Sequence, residues 1–150
     1  MRLTAFSDVS LRIMMLLSGA EGHQLSTQAI AEGVGTPYHH VTKSVAFLAH
    51  QGWVLSSRGR AGGVKLSEEG RKVTIGQLLR HTERDSPIVE CEGAKSSCLL
   101  NTECDVRVHL ARARQAFYEV LDPVVISSLP TQKQLQPVFI QLGLSPSGKG

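Results

Sequence analysis

Ser26-Thr27-Gln28-Ala29-Ile30-Ala31-Glu32-Gly33-Val34-Gly35-Thr36-Pro37-Tyr38-His39-His40-Val41-Thr42-Lys43-Ser44-Val45-Ala46-Phe47-Leu48 is the stretch on which the fold turns. Ser26 is a good N-cap for a short helix, because its side-chain oxygen accepts from an otherwise orphaned amide, and Gly33-Val34-Gly35 stops that helix. Thr36 then reads as the cap of a longer helix with Pro37 at its first position, where a missing amide hydrogen costs nothing. This second helix sets Val41, Val45 and Leu48 on one side and runs to Gly52. Two helices joined by a glycine-bearing turn make a helix-turn-helix.

Sequence on either side completes the unit. Upstream, Val9, Ile13, Leu16 and Leu17 recur at helical spacing and predict a first helix that starts after Ser7 and ends at Gly19. Downstream, Trp53-Val54-Leu55-Ser56-Ser57 has strand composition, Arg58-Gly59-Arg60-Ala61-Gly62-Gly63 is a glycine-rich turn, and Val64-Lys65-Leu66 resumes an alternating pattern. That is a hairpin with a basic tip. Ser67 opens a further helical turn, and Thr74 starts a helix through Ile75, Leu78 and Leu79. The expected fold is mainly α with a small β-hairpin wing: a winged helix-turn-helix over residues 1–82.

Beyond it, residues 83–103 read as a loop, and helical periodicity returns from Cys104 to Leu121. Val106, Leu110, Ala113, Phe117 and Val120 form a heptad-like seam suited to a partner helix, so residues 104–130 read as a long dimerisation helix with a short cap helix, Val124 to Leu129. Residues 131–150 read as a C-terminal tail with one apolar stretch, Val138 to Leu142, and disorder in its last six residues.

A length of 150 residues suits one domain with an appendage and excludes a large enzyme with separate cofactor and substrate domains. The net charge of +3 is unevenly spread: residues 1–80 carry nine basic and five acidic side chains, residues 81–150 seven and eight. The first half therefore suits an anionic partner. Leu11 to Leu17 falls far short of the ~20 apolar residues needed to span a bilayer, so no membrane partner is expected and the location is cytoplasmic.

Each piece of the winged unit has a task on double-stranded DNA. The second helix of the motif enters the major groove, where base edges carry a distinguishable donor and acceptor pattern. Thr36, Tyr38, His39, His40, Thr42, Lys43 and Ser44 are its hydrogen-bonding side chains. Ser26, Thr27 and Gln28, at the preceding helix N-terminus, are placed to hold a phosphate with their amides. Arg58 and Arg60 in the wing are set to lie along phosphates or in a minor groove. The plain alternative is a solvated hairpin on an ordinary helical corner.

Three cysteines, Cys91, Cys98 and Cys104, follow the spacing C-x6-C-x5-C. Three thiolates fill three positions around an iron–sulfur cluster or a zinc ion and leave a fourth ligand to be found. Local candidates are His109, Asp105, Glu103 and Glu92, and a remote one is Asp8. The gaps lack the short hooks of a zinc site and suit a larger cluster. Three reduced thiols without metal, a thiol-based redox or metal-handling protein, and a catalytic cysteine are the alternatives. The last is weak, because His109 near Cys104 has no third orienting residue, so no enzyme is expected.

The assembly resembles the iron–sulfur branch of the Rrf-type bacterial transcription regulators, and within it the nitric-oxide-sensing repressors. The resemblance covers residues 1 to about 130 and rests on Met1-Arg2-Leu3-Thr4-Ala5-Phe6-Ser7-Asp8 with Leu11-Arg12, on Pro37-Tyr38-His39-His40, on the Arg58 to Gly63 wing, and on Ala116-Phe117-Tyr118 before Leu121-Asp122-Pro123. It implies a homodimer held by the long helix, a palindromic operator, and a cluster bound within residues 83–103 and Cys104 by Cys91, Cys98 and Cys104, completed by Asp8 of the partner subunit. A related branch uses a histidine three residues past the last cysteine, where this chain has Arg107. The resemblance thus favours a 4Fe-4S cluster over a histidine-ligated 2Fe-2S one. It also implies repression by the loaded protein and release of DNA when nitric oxide reacts with the cluster. The same fold sensing iron–sulfur supply or oxidative stress is the nearest alternative.

Overall fold

A computed structural model of the chain describes residues 2–20, 22–84, 87–92, 98–100 and 103–144. Helix α1 (Ala5–Gly19) lies at the centre, with Ile13, Met14, Leu16 and Leu17 buried in one apolar cluster. It starts earlier than its apolar spacing predicts. Thr4 is the N-cap, its Oγ1 accepting from the Ser7 amide at 3.2 Å, while Ser7 is fully buried inside the helix.

Helices α2 (Thr27–Val34) and α3 (Tyr38–His50) pack on α1 as the two arms of the expected motif. Ser26 caps α2, accepting from the Ala29 amide at 3.0 Å. Gly35 ends α2 in the left-handed region (φ 63°), and the amides of Gly35 and Thr36 return to carbonyls of the last turn. That places Thr36 in the termination of α2, with its hydroxyl near the Val34 carbonyl. The expectation that Thr36 caps α3 is therefore corrected: Pro37 holds that position, with no side-chain cap bond.

Strands β1 (Val54–Ser57) and β2 (Gly63–Leu66) form the antiparallel wing, with Val54 opposite Leu66 and Ser57 opposite Gly63. Leu25 adds a rung by exchanging backbone bonds with Val64 (3.0 and 2.8 Å), which fastens the hairpin to the chain before α2. Trp53 lies between Phe47 and His81, ring centroids 6.1 and 5.3 Å away, and so joins α3 to α4 (Ile75–Thr82). A capping box of Thr74 and Gln77 opens α4.

Helix α5 (Asp105–Leu121) stands outside this body and buries only Tyr118 among its residues. Arg80 of α4 fastens its end, donating to Asp122 at 2.7 and 3.4 Å and lying 4.6 Å over the Tyr118 ring. The expected helix from Val124 to Leu129 is a single 3-10 turn, Ile126–Ser128. The reason is backbone pairing: Val124 and Ile126 bond to Ile75 and Val73, which holds the intervening chain extended. The segment read as a tail contains α6 (Gln132–Gln141), capped by Thr131. Its Leu135 and Phe139 are buried against α1, and Val138 and Leu142 approach Gly33 of α2. The expectation for the last six residues lies outside the described residues. Among the described residues, no helix is long and apolar enough to cross a membrane.

Candidate nucleic-acid interface and thiol segment

The apolar side of α3 is spent on α1, which leaves its first two turns to solvent. Tyr38, His39, His40, Thr42 and Lys43 are all exposed, Tyr38 by 53%. The rings of His39 and His40 lie 4.0 Å apart, and Thr42 donates its hydroxyl hydrogen to the Tyr38 carbonyl at 2.9 Å, leaving the oxygen as acceptor. Ser44 is the exception. It is fully buried, and its Oγ has no hydrogen-bond partner. Its place between Val41 and Val45 puts it on the core side, so it is removed from the groove-facing set.

At the start of α2, Ser26 and Gln28 are exposed and Thr27 is half-buried. Ser26 spends its oxygen on the helix cap, and Gln28 donates its side-chain amide to Glu32 at 2.9 Å. The amides of Thr27 and Gln28 precede the first intrahelical bond of α2 and present the donor end of the helix dipole. Arg58 and Arg60 stand exposed on the wing tip, where Gly59 adopts φ 104°. A Cβ on Gly62 would overlap the Ser57 carbonyl, so the tip needs glycine to fold back on itself. Exposed Lys43, Arg58 and Arg60 give the motif and its wing the cations that a polyanionic duplex requires.

The thiols belong to the other half. Cys91 sits half-buried in a 3-10 turn, Glu90–Glu92; Cys98 is exposed; Cys104 is the half-buried N-cap of α5. Glu92 accepts from the Ile88 amide at 3.0 Å and pairs with Arg114 of α5. Burial works to raise its carboxyl, but the Ile88 amide and Arg114 outweigh it and hold the group below the ordinary carboxylate range. His109, Glu103 and Asp105 are exposed on or beside α5. Asp8 is half-exposed in the first turn of α1 and forms a two-point ion pair with Arg12 (2.7 and 3.1 Å). Three soft thiols in one segment are the right donors for iron and sulfide. Among the described residues, however, no three His, Cys, Asp or Glu side chains stand close enough to share a metal ion.

Sequence spacing gave no hint of one polar centre. Glu83, at the end of α4, accepts from both the amide and the hydroxyl of Thr4 (2.7 and 2.8 Å), and Ser7 lies within hydrogen-bond reach of the same oxygen and of Thr82. The partners are 76 and 79 positions apart, so only the folded chain brings them together.

A helix-turn-helix with a basic hairpin beside its second helix defines a winged-helix DNA-binding transcription regulator. The chain matches the Rrf2 family, described as an iron-dependent transcriptional regulator, over residues 3–132, and it belongs to that family. It is 41% identical to the HTH-type transcriptional repressor NsrR of Streptomyces coelicolor over 150 residues, which covers 99% of this chain and 100% of that one. It is 34% identical to the HTH-type transcriptional regulator NsrR of Bacillus subtilis over 136 residues, 89% of this chain and 93% of the other. Among solved structures, CymR, the global cysteine regulator of B. subtilis, is similar with a TM-score of 0.66 and 28% identity, covering 86% of this chain and 95% of that one. These relatives are named as regulators of transcription, not as enzymes.

Proposed function

We propose that the chain is a homodimeric repressor that binds a palindromic DNA operator and senses nitric oxide through an iron–sulfur cluster. The observation that carries this reading is the full-length similarity to a transcriptional repressor in a chain with three thiols in the segment that leads into a largely unburied helix. In this reading residues 1–82 bind DNA, residues 83–103 with Cys104 hold a 4Fe-4S cluster, and residues 104–130 dimerise.

The α5 seam supports the dimer. Val106 and Val120 are 65% and 71% exposed, and Ala113 lies exposed between them. A helix of 17 residues with one buried side chain needs a second surface, and a copy of itself supplies a matching seam. Tyr38, His39, His40, Thr42 and Lys43 read the major groove, Thr27 and Gln28 amides beside Ser26 meet a phosphate, and Arg58 and Arg60 follow the backbone.

Cys91, Cys98 and Cys104 hold the cluster with Asp8 of the partner subunit, whose carboxylate is a harder and weaker iron ligand than thiolate. When bound, the cluster supplies an iron corner open to nitric oxide. To take that role Asp8 would have to leave its ion pair with Arg12, which also reaches the Val34 carbonyl at 3.5 Å. Without a cluster to hold it, Asp8 would keep its ion pair with Arg12, α1 would be free of the other subunit, and the two recognition helices would lose the spacing that their half-sites require.

Anaerobic reconstitution with iron and sulfide, followed by absorbance and mobility-shift during nitric oxide titration, tests the reading. Loaded protein should shift a candidate operator and lose it as nitric oxide is added. Affinity should fall with salt, and Arg58→Ala or Arg60→Ala should each reduce the logarithmic salt slope by about 1 per subunit. DNA binding retained after complete reaction with nitric oxide refutes the sensing, and an operator affinity independent of salt refutes the interface.

A further inference from the structure

We propose that the cavity between the start of α1, the end of α4 and the body of α5 is a binding site for a small organic monocarboxylate with a branched or aromatic tail. It uses none of the thiols and none of the groove-facing side chains, so it does not depend on the cluster reading given above.

The cavity has a volume of about 190 Å³, below the ~300–1,000 Å³ of sites for drug-sized ligands, so its occupant is small. Leu3, Ile88 and Phe117 supply apolar wall for a tail. Three charged side chains also line it, and two of them are already matched. Glu83 gives a carboxylate oxygen to the amide and hydroxyl of Thr4 (2.7 and 2.8 Å), and Arg114 pairs with Glu92. The third is Arg2, an exposed guanidinium with no hydrogen bond or ion pair among the described residues. A second polar group is also unmatched. Tyr118 lines the same cavity and is only 9% exposed, yet its hydroxyl makes no hydrogen bond with a described residue. Among the described residues the fully enclosed hydroxyls without a partner are those of Ser10 and Ser44, so that of Tyr118 keeps contact with open space. A phenol donates to an anionic oxygen, and a guanidinium presents a fork that fits a carboxylate. One unmatched cation, one unmatched donor and a short apolar wall together select a monoanion with a hydrocarbon body. Phe117 also belongs to the α5 seam, and Ile88 donates its amide to Glu92 beside Cys91. An occupant would therefore touch the start of α1, the proposed dimerisation helix and the approach to the thiols at once.

Isovalerate and benzoate are the probes, titrated into full-length protein by calorimetry with thermal melts in parallel. At least one of them should bind saturably and raise the Tm as its concentration rises. Arg2→Gln alters only an exposed side chain, and Tyr118→Phe keeps the ring packed under Arg80. Each should weaken the acid about tenfold, the loss expected for one charge-assisted hydrogen bond. Isoamyl alcohol and benzyl alcohol, which keep the hydrocarbon body without the charge, should bind at least tenfold more weakly than the matching acid. Acetate, which keeps the charge without the body, should do the same. No saturable binding of either acid at millimolar concentration overturns the proposal. Equal affinity for acid and alcohol overturns the carboxylate as the recognised group. Acid binding that neither substitution changes places the ligand elsewhere on the chain and overturns the site.

Discussion

Gly76→Ala sets a local preference against a tertiary one. Alanine is the better helix former by ~1 kcal/mol, so α4 taken alone should gain. In the folded chain Gly76 is buried, and a Cβ there would overlap Asp122 Oδ1 and come within 2.8 Å of the Asp122 amide nitrogen and 2.9 Å of its Cα. A carboxylate can rotate aside, but the backbone of Asp122 cannot, since its amide is fixed to the Tyr118 carbonyl at 2.8 Å. Overpacking of this kind costs ~1–3 kcal/mol, here toward the upper end, and the net loss is about 2 kcal/mol after the helix-propensity gain. That corresponds to a fall in Tm of about 4–8 °C for a chain of this size. Displacing Asp122 also breaks its two contacts with Arg80, whose guanidinium is held above its ordinary range mainly by that hydrogen bond. Thermal melts followed by circular dichroism on Gly76→Ala, Asp122→Ala and the double variant supply the measurement. The two changes should be less than additive, because removing the carboxylate relieves one of the three clashes. A Gly76→Ala variant as stable as the parent would refute the seating of α4 on the end of α5.

Ser44→Ala should leave operator affinity unchanged and raise stability by ~1 kcal/mol, since it removes a buried hydroxyl without a partner; a tenfold loss of DNA binding would return Ser44 to the interface. Leu135→Ala should cost ~2–5 kcal/mol in urea unfolding, and an unchanged midpoint would mean that α6 is not docked over Gly19. Glu83→Ala strands two donors of Thr4 and should cost ~1–3 kcal/mol, with Thr4→Ala adding little in the same background; full additivity would show that the two do not interact.

What the sequence discloses here is local, and what it hides is long-range. The Ser26 cap, the Thr74 cap, the Val41, Val45 and Leu48 side of α3 and the alternation of the wing are decided within a few residues of themselves, and the folded chain reproduces them. Ser44 was misplaced by its polarity, although its position between Val41 and Val45 already put it on the buried side. Thr36 has the chemistry of a cap, but the left-handed Gly35 before it turns the chain so that it closes α2. Helix α6 was hidden by Pro137, which reads as a breaker in a glutamine-rich run. The spacing of Leu135, Val138, Phe139 and Leu142 is helical, and packing on the bare Cα atoms of Gly19 and Gly33 compensates the hydrogen bond that proline removes. Glu83 had no local signature, because a carboxylate that caps another helix across 79 positions is visible only once both helices are placed. The thiols were legible as donors but not as an assembled site.

Helix α1 is the element through which the proposed sensing would reach the DNA-binding half. It packs against α2, α3, α4, β2 and α6, so nearly every element of the DNA-binding half rests on it. Its first turn is held by Glu83 at the end of α4, and α4 is in turn bolted to α5 by Arg80 and Asp122. Asp8 follows Ser7 on that same turn and is half-exposed on a helix whose other face is core. A force applied to the Asp8 carboxylate therefore acts on a rod that touches both arms of the helix-turn-helix, and packed interiors transmit displacement because they have little room to absorb it. Helix α1 packs directly on α3, and Ser10 of α1 and Ser44 of α3 are each fully buried. In the proposed release of DNA, a change at Asp8 would reach Tyr38, His39 and His40 through α1 and its packing on α3.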